Sequence, residues 1–303
     1  MGRRLLAVLG AVAMIVAAAA VRSRIDGSDG SPGVGGSPDR GSGGAGAIVC
    51  DRALGDACPR DAGRQDAPAT ATSLADAASG PTTWISVGPW SEATDAARKL
   101  RGRAALFESP AELASTDLVI VVRRGERLGC PAPVTWRCVG DALAEGRLAV
   151  SAAPATASDG LMLRAAFVTG RLERTDWGTS DLDPAARDWL TRVDATLEKA
   201  RSLDGGRSFD DWAGRQFAGP AGFVTTAAGV TSLLGAGGNP RVEVTVPEPL
   251  VRVQVLAAGA SLPRDDEASL REGLASSGWT LPAEPATGLP SPDVLYALGS
   301  VVG

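Results

Sequence analysis

The sequence Asp-Leu-Val-Ile-Val-Val at residues 117–122 decides the fold class of this 303-residue chain. Its apolar run is continuous, whereas a strand with one side in solvent alternates apolar and polar residues. A continuous run of this length indicates a strand that is buried on both faces, as in a sheet covered by helices on both sides. We therefore predict an α/β protein with a largely parallel sheet.

Segments typical of strands and helices alternate on both sides of this run. Before it, we predict a strand at Thr83–Val87, a helix at residues 91–100, a short strand at 104–107 and a helix opened by Ser109 and Pro110. After it, we predict strands at 147–151, 221–226, 241–246 and 250–256, and helices at 135–144, 159–168 (with Ser158 as N-cap), 227–234, 265–276 and 292–302, with two more opened by Asp183-Pro184 and by Ser208.

The amino terminus has the pattern of an export signal. Arg3 and Arg4 precede the uncharged run at residues 5–21, which is at the lower length limit of a membrane-spanning helix. Residues 1–25 are therefore either a cleaved signal peptide or a retained membrane anchor. Residues 26–47 are rich in glycine and serine and form a predicted linker. We expect the remainder on the extracytoplasmic face of the cell membrane, or secreted if the segment is cleaved.

Charge and composition narrow the possible chemistry. The chain has a formal charge of −5 and no histidine, which excludes Ser-His-Asp and Cys-His catalysis and every histidine-ligated metal. Without the four arginines of residues 1–25, 26 basic residues face 35 acidic ones, so the rest carries −9. This acidic balance argues against nucleic acid as a partner. No pattern indicates a cofactor.

Four cysteines occur as Cys50 with Cys58 and Cys130 with Cys138, with seven residues between the members of each pair. An even number of cysteines in an exported protein favours disulfides. Three connectivities are possible, of which two local loops are the simplest. Zinc is the alternative, but cysteine-only zinc sites usually have two to four residues between ligands.

The order of these segments resembles the extracellular solute-binding family, which has the type II periplasmic binding protein fold. The resemblance rests on residues 118–123 as a strand before a crossing between lobes, on residues 156–160 as a ligand-facing turn, and on residues 246–256 as the return crossing. The run from Gly278-Trp279 to residues 288–295 is similar to the end of substrate-binding modules that accompany von Willebrand factor A domains in surface proteins of high-GC Gram-positive bacteria.

The resemblance implies two lobes, with residues 48–125 and 251–303 forming lobe one and residues 126–250 forming lobe two. Only 33 residues separate Cys50 from Trp84, where the family has a strand, a long helix and another strand, so lobe one looks abbreviated. The resemblance also makes Thr116 a candidate for the cleft between the lobes.

Other candidates follow from the residues themselves, since ligands of open α/β sheets bind beyond the carboxyl ends of strands and at helix N-termini. Ser86 and Trp90 would line the cleft after the Thr83–Val87 strand, although Trp90 suits core packing equally well. Thr156 and Ser158 would face a ligand at a helix N-terminus, although Ser158 also suits a simple N-cap. Thr225 and Thr226 end a strand and precede small residues.

Three functions remain open at this point. The first is an exported, membrane-tethered protein that captures a small ligand between two lobes. The alternative is a degenerate binding-protein module that binds another protein at the cell envelope. The third, a cell-wall hydrolase, has little support because the chain has neither a G-x-S-x-G nor a P-loop motif and no paired carboxylates stand out. We predict no catalytic residue and no metal site.

Overall fold

The structure is a computed structural model that describes residues 48–107, 109–202, 208–235 and 237–302. All of them belong to one compact unit, Ser42–Gly303. The predicted export segment and linker at residues 1–47 lie outside the described residues. Within the described part of the chain, no helix combines the length and apolar character needed to cross a bilayer.

The described residues include eight strands and nine α-helices. The strands are β1 (Ile48–Asp51), β2 (Gly63–Gln65), β3 (Thr83–Val87), β4 (Ala111–Arg123), β5 (Val150–Ala152), β6 (Gly222–Thr226), β7 (Val242–Thr245) and β8 (Arg252–Gly259). The helices are α1 (Ala67–Asp76), α2 (Trp90–Leu100), α3 (Trp136–Ala144), α4 (Ser158–Leu172), α5 (Pro184–Ser202), α6 (Phe209–Gly214), α7 (Ala227–Leu234), α8 (Arg264–Ser276) and α9 (Pro292–Val302).

The sheet has two halves that share the long strand β4. The first half-sheet runs in the order β2-β1-β3-β8 and ends on residues 111–117 of β4. The second half-sheet consists of residues 118–123 of β4 with β6, β5 and β7. The crossing from one half to the other is therefore made inside a continuous strand, and β8 brings the chain back.

The predicted α/β class is confirmed, but the sheet is mixed and not largely parallel. The pairs β1–β2, β1–β3 and β5–β6 are parallel, as expected for strands linked through helices. Strands β4 and β8 are antiparallel to all their partners. Strands that are linked through a helix within one half pair in parallel. Strands β4 and β8 instead connect the two halves, so this rule does not apply to them.

The apolar run at residues 117–122 is buried on both faces, as predicted. Leu118, Ile120 and Val122 belong to a large core cluster, whereas Val119 and Val121 belong to a smaller one on the opposite face. Burial of each such side chain contributes roughly 1.5–3 kcal/mol. The large cluster contains residues from both half-sheets, so the two halves share one core.

The predictions for residues 104–110 are wrong. Residues 104–107 form no strand, because the carboxylate of Asp95 accepts hydrogen bonds from the backbone N–H groups of Leu106 (2.7 Å) and Phe107 (3.2 Å). Ser109 and Pro110 open no helix, and strand β4 begins at Ala111. Most other predicted elements occur within a few residues of their expected bounds. Trp189, Val193 and Leu197 are part of the buried face of α5.

The cysteines form two local disulfides, Cys50–Cys58 and Cys130–Cys138. Their pairing agrees with the simplest of the three connectivities. The stretch between Cys50 and Trp84, which looks abbreviated in sequence, contains β2 and the ten-residue helix α1.

Candidate functional site

A cavity of about 300 Å³ lies between the two half-sheets. It is located where β1, β3, β5 and β6 reach their carboxyl ends, which is the usual place for a ligand in an open α/β sheet. Its volume is at the lower end of the range for small-molecule sites. The lining residues are Arg52, Ala53, Gly55, Val87 and Trp279 from the first half and Ala153, Asp159, Ser208, Phe209, Asp210, Phe223, Thr225, Thr226 and Gly229 from the second. We call it the cleft cavity.

Strand β6 supplies two threonine hydroxyls to this cavity, those of Thr225 and Thr226. Thr226 is the N-cap of α7, and its Oγ1 accepts a hydrogen bond from the N–H of Gly229 at 3.0 Å. Thr225 is only 8% exposed, and its hydroxyl has no partner among the described residues. A Cβ at Gly229 would lie 3.0 Å from Thr225 Oγ1, so glycine keeps the space in front of that hydroxyl open.

Helix α4 contributes a carboxylate. Asp159, in the first turn of α4, lines the cavity and accepts a hydrogen bond from the N–H of Gly160 at 3.0 Å. Burial raises the pKa of Asp159 because the charged form is poorly solvated there. Gly160 allows the backbone of α4 to pack closely against Pro154, since a Cβ at this position would lie 2.0 Å from the carbonyl oxygen of Pro154.

A second carboxylate, Asp51, joins the two half-sheets beside the cavity. It ends β1 and accepts hydrogen bonds from the N–H groups of Ala53 and Val87, both at 3.2 Å, and from the hydroxyl of Ser158. Burial raises the pKa of Asp51 to about 6, against the lowering effect of these hydrogen bonds. Ser158 is thus the first helical residue of α4 and not its N-cap, a position that Ala157 occupies.

Three of the predicted ligand residues use their polar groups inside the protein. The hydroxyl of Ser86 donates to the carbonyl of Gly88 at 3.2 Å. Ser158 donates to Asp51. Thr116 lies in the middle of β4, not before its start, and its Oγ1 accepts from the N–H of Ala228 at 2.9 Å. All three side chains are buried.

Trp90 and Thr156, the remaining two, lie at a different place. They border a cavity of about 670 Å³ between α1, α2, the start of α4 and α9, which we call the outer cavity. The indole N–H of Trp90 donates to the carbonyl of Val87 at 2.8 Å, so only its ring faces this space. Of the seven predicted ligand residues, the structure therefore brings only Thr225 and Thr226 to the cleft cavity.

Sequence reasoning missed Asp51, Asp159 and the aromatic lining residues. Asp51 follows the short apolar run Ile-Val-Cys, and an acidic residue at the end of such a strand is a usable indication of a site. Asp159 lies inside the turn at residues 156–160 that the sequence singled out, although only its neighbours were chosen. No local pattern points to Phe209 or Trp279. The described residues contain no group of three or more potential metal ligands.

No family model matches the chain, and no curated protein matches it. Among solved structures, the chain is similar to apo ferric ion-binding protein A of Pasteurella haemolytica, with a TM-score of 0.51 and 10% identity over 86% of this chain and 97% of that one. A ferric binding protein from Campylobacter jejuni has a TM-score of 0.49 and 12% identity over 84% and 96%. The sulfate-binding protein SubI of Mycobacterium tuberculosis has a TM-score of 0.43 and 13% identity over 78% and 86%.

Identities this low establish the fold and nothing finer. The fold of the Pasteurella haemolytica protein agrees with the resemblance seen in the sequence. The chain has the mixed α/β fold of the two-lobed periplasmic binding proteins.

Proposed function

We propose that this protein is an exported solute-binding protein that captures a small ligand non-covalently in the cleft cavity. The observation that supports it most directly is the unpartnered Thr225 hydroxyl, which is nearly buried and faces a cavity at four strand ends. Because this hydroxyl opens onto the cavity and has no protein partner among the described residues, a ligand group would form the hydrogen bond that no described protein atom supplies. Thr226 and Asp159 would complete the polar contacts.

Ligand entry requires the halves to separate where β4 passes from the first half-sheet to the second, at residues 117–118, and at the return near residues 246–250. The sequence-based expectation that residues 118–123 precede the first crossing is wrong, because these residues pair with β6 and β7 of the second half-sheet. The Asp51–Ser158 hydrogen bond joins the halves at the edge of the cavity and would break on opening. The lobe boundaries at residues 125 and 250 remain predictions. So do the export segment at 1–25, the tether at 26–47, the location at the membrane and the narrower likeness to modules that accompany von Willebrand factor A domains.

The competing hypothesis is a degenerate module that binds an envelope protein. The observation in its favour is the core that both half-sheets share, which leaves only about 300 Å³ of cavity between them. The two hypotheses differ in what happens to the cleft cavity, since only solute capture needs it to fill.

Thermal denaturation of the full chain against a panel of amino acids, amines, sugars and inorganic anions tests the proposal. A ligand present at 100 times its Kd stabilises the folded state by about 2.7 kcal/mol, which raises Tm measurably. Thr225→Val should reduce the gain in Tm, because it removes one hydrogen-bonding group and keeps the shape of the side chain. Thr156→Val, at the outer cavity, is the matched control and should leave it intact. An unchanged Tm with every solute would refute solute capture and favour the interaction module.

A further inference from the structure

The charged groups around the cleft cavity are mostly acidic. Asp159 and Asp210 line it, and Arg52 is the one basic residue among its described lining residues. The guanidinium of Arg52 is exposed and lies 3.8 Å from the carboxylate of Asp66 on the outer surface. An anionic ligand would therefore meet two carboxylates and a cation that is already paired.

Helix N-termini, which usually attract anions, are already occupied here. The side chain of Asp159 accepts the Gly160 N–H of α4, and Thr226 and Thr116 accept the Gly229 and Ala228 N–H groups of α7. An anion at a helix N-terminus binds backbone N–H groups such as these. Here each of them already donates to a side-chain oxygen of the protein, and one of those oxygens belongs to a carboxylate.

Asp159 forms no ion pair with a cationic side chain of the described residues, although the charge of Arg164 acts on it electrostatically. The buried guanidinium of Arg164 donates to Asp194 at 2.8 Å and to the carbonyl of Gly160 at 2.9 Å. A half-buried carboxylate in this position is stabilised by any positive charge that enters the cavity, because little water screens the pair.

The rest of the wall suits the carbon atoms of an organic cation. Phe209, Phe223 and Trp279 are buried side chains that line the cavity, and the Phe209 and Phe223 ring centroids lie 5.8 Å apart. Aromatic faces attract alkylammonium groups as well as apolar carbon. The free Thr225 hydroxyl, on the same wall as Phe223, adds an acceptor for an N–H group.

We infer that the cleft cavity binds a small organic cation with a protonated amine, which donates to the Asp159 carboxylate and the Thr225 hydroxyl while its carbon skeleton lies against Phe209, Phe223 and Trp279. This inference rests on the proposed function, since it names the ligand class of the same cavity. It predicts that charge, and not only size, decides which solutes bind.

Calorimetric titration of the full chain with four probes of similar size tests the inference. The probes are n-butylamine and 1,4-diaminobutane as hydrochlorides, n-butanol, and sodium butyrate, at matched ionic strength. We expect the two ammonium compounds to bind and the alcohol and the carboxylate to bind at least tenfold more weakly. Binding of butyrate or butanol as tightly as butylamine would overturn the inference.

Variants locate the binding. Asp159→Asn keeps the acceptor for Gly160 and removes the charge, so we expect a tenfold or greater loss of amine affinity. Thr225→Val should cost about two- to tenfold. Asp293→Asn makes the same chemical change at the outer cavity and should change nothing. Circular dichroism shows whether Asp159→Asn folds. If it does not fold, the test rests on Thr225→Val, and full amine affinity in that variant would contradict the inference.

The outcomes also separate this inference from the proposed function. Binding of a sugar or an anion that Thr225→Val weakens, with no amine binding, would refute the amine and leave solute capture standing. If neither the four probes nor any solute of the thermal panel bind, both proposals fail.

Discussion

The two disulfide loops have the same covalent size but lie in different surroundings. Each encloses seven residues, and each contains a side chain that caps the next helical turn: Asp51 accepts from the N–H of Ala53, and Thr135 accepts from the N–H of Cys138. Cys50 and Cys58 are 0% and 4% exposed, whereas Cys130 and Cys138 are half-buried.

Their neighbours differ as well. The first loop borders the cleft cavity through Arg52, Ala53 and Gly55, and Asp51 holds Ser158 of the other half. The second loop is fastened to the return crossing, where the N–H of Trp136 donates to the carbonyl of Glu248 at 3.0 Å. Loop length, which is visible in the sequence, determines only the chain-entropy contribution of each disulfide to stability. The further contribution of each loop depends on how deeply it is buried.

Removal of the first disulfide is expected to have the largest effect. Cys50→Ala with Cys58→Ala should lower the free energy of unfolding by about 4 kcal/mol, of which roughly 2–3 kcal/mol is the loop-closure share and the remainder the loss of two buried sulfurs. It should also weaken ligand binding, because the loop forms one wall of the cleft cavity. Urea titrations followed by tryptophan fluorescence measure the change. A loss equal to that of the second disulfide would show that burial contributes nothing.

The second largest expected difference between the two loops is in the pH dependence of the free energy of unfolding. The pKa of Asp51 is about 6 in the folded protein and 3.8 in a free chain, so the folded state holds this proton more tightly. Stability from this group is complete below pH 3.8 and is lost as pH rises through 6, by about 3 kcal/mol in total.

The difference between the wild type and Asp51→Asn at each pH reports on Asp51 together with its interaction with Asp159, whose charge helps to raise the pKa of Asp51 and whose own pKa is also raised. Unfolding at pH 4 to 8 should show a smaller decline for Asp51→Asn. The second loop encloses no carboxylate, so Cys130→Ala with Cys138→Ala should keep the wild-type slope. Parallel curves for the wild type and Asp51→Asn would exclude Asp51 as the source.

Removal of the second disulfide should cost roughly 2–3 kcal/mol, the loop-closure share alone. Ligand affinity should stay at the wild-type value because no residue of this loop lines the cleft cavity. Calorimetric titration of Cys130→Ala with Cys138→Ala checks this. A weaker affinity would mean that the return crossing transmits changes to the cavity.

The smallest effect is expected from Thr135→Ala. Loss of its hydrogen bond to the N–H of Cys138 leaves the first turn of α3 without its cap and should lower the free energy of unfolding by about 1 kcal/mol. Thr135→Ser, which keeps the hydroxyl, is the matched control. Chemical denaturation at pH 7 resolves the difference, and equal stabilities would assign the N–H to another partner.

Features of the fold that depend on residues close together in the sequence could be predicted from it. The apolar run at 117–122 and the N-cap Ser208 are local patterns, and the structure has both. Residues 104–107 were mispredicted because their N–H groups bind Asp95, on an earlier helix. Ser115 and Thr116 belong to β4 because β8, well over a hundred residues later, pairs with them.

The same division applies to the candidate site. Thr225 and Thr226 were identifiable because hydroxyls at the end of an apolar strand face a cleft by position alone. Asp51 was not, since its partner Ser158 lies 107 residues away and comes close only in the folded chain. Trp90 had the right position after a strand, but its indole N–H is bound internally by Val87.

The return of the chain through β8 has a consequence for the order of assembly. Strand β8 lies between β3 and β4, and the hydroxyl of Thr83 donates to the carbonyl of Ala260, 177 residues further along. A chain that is made from its amino terminus can complete the second half-sheet while β3 still has an unpaired edge. Closing so long a loop is slow, so the waiting edge of β3 is the part of this protein most exposed to misassembly with another chain.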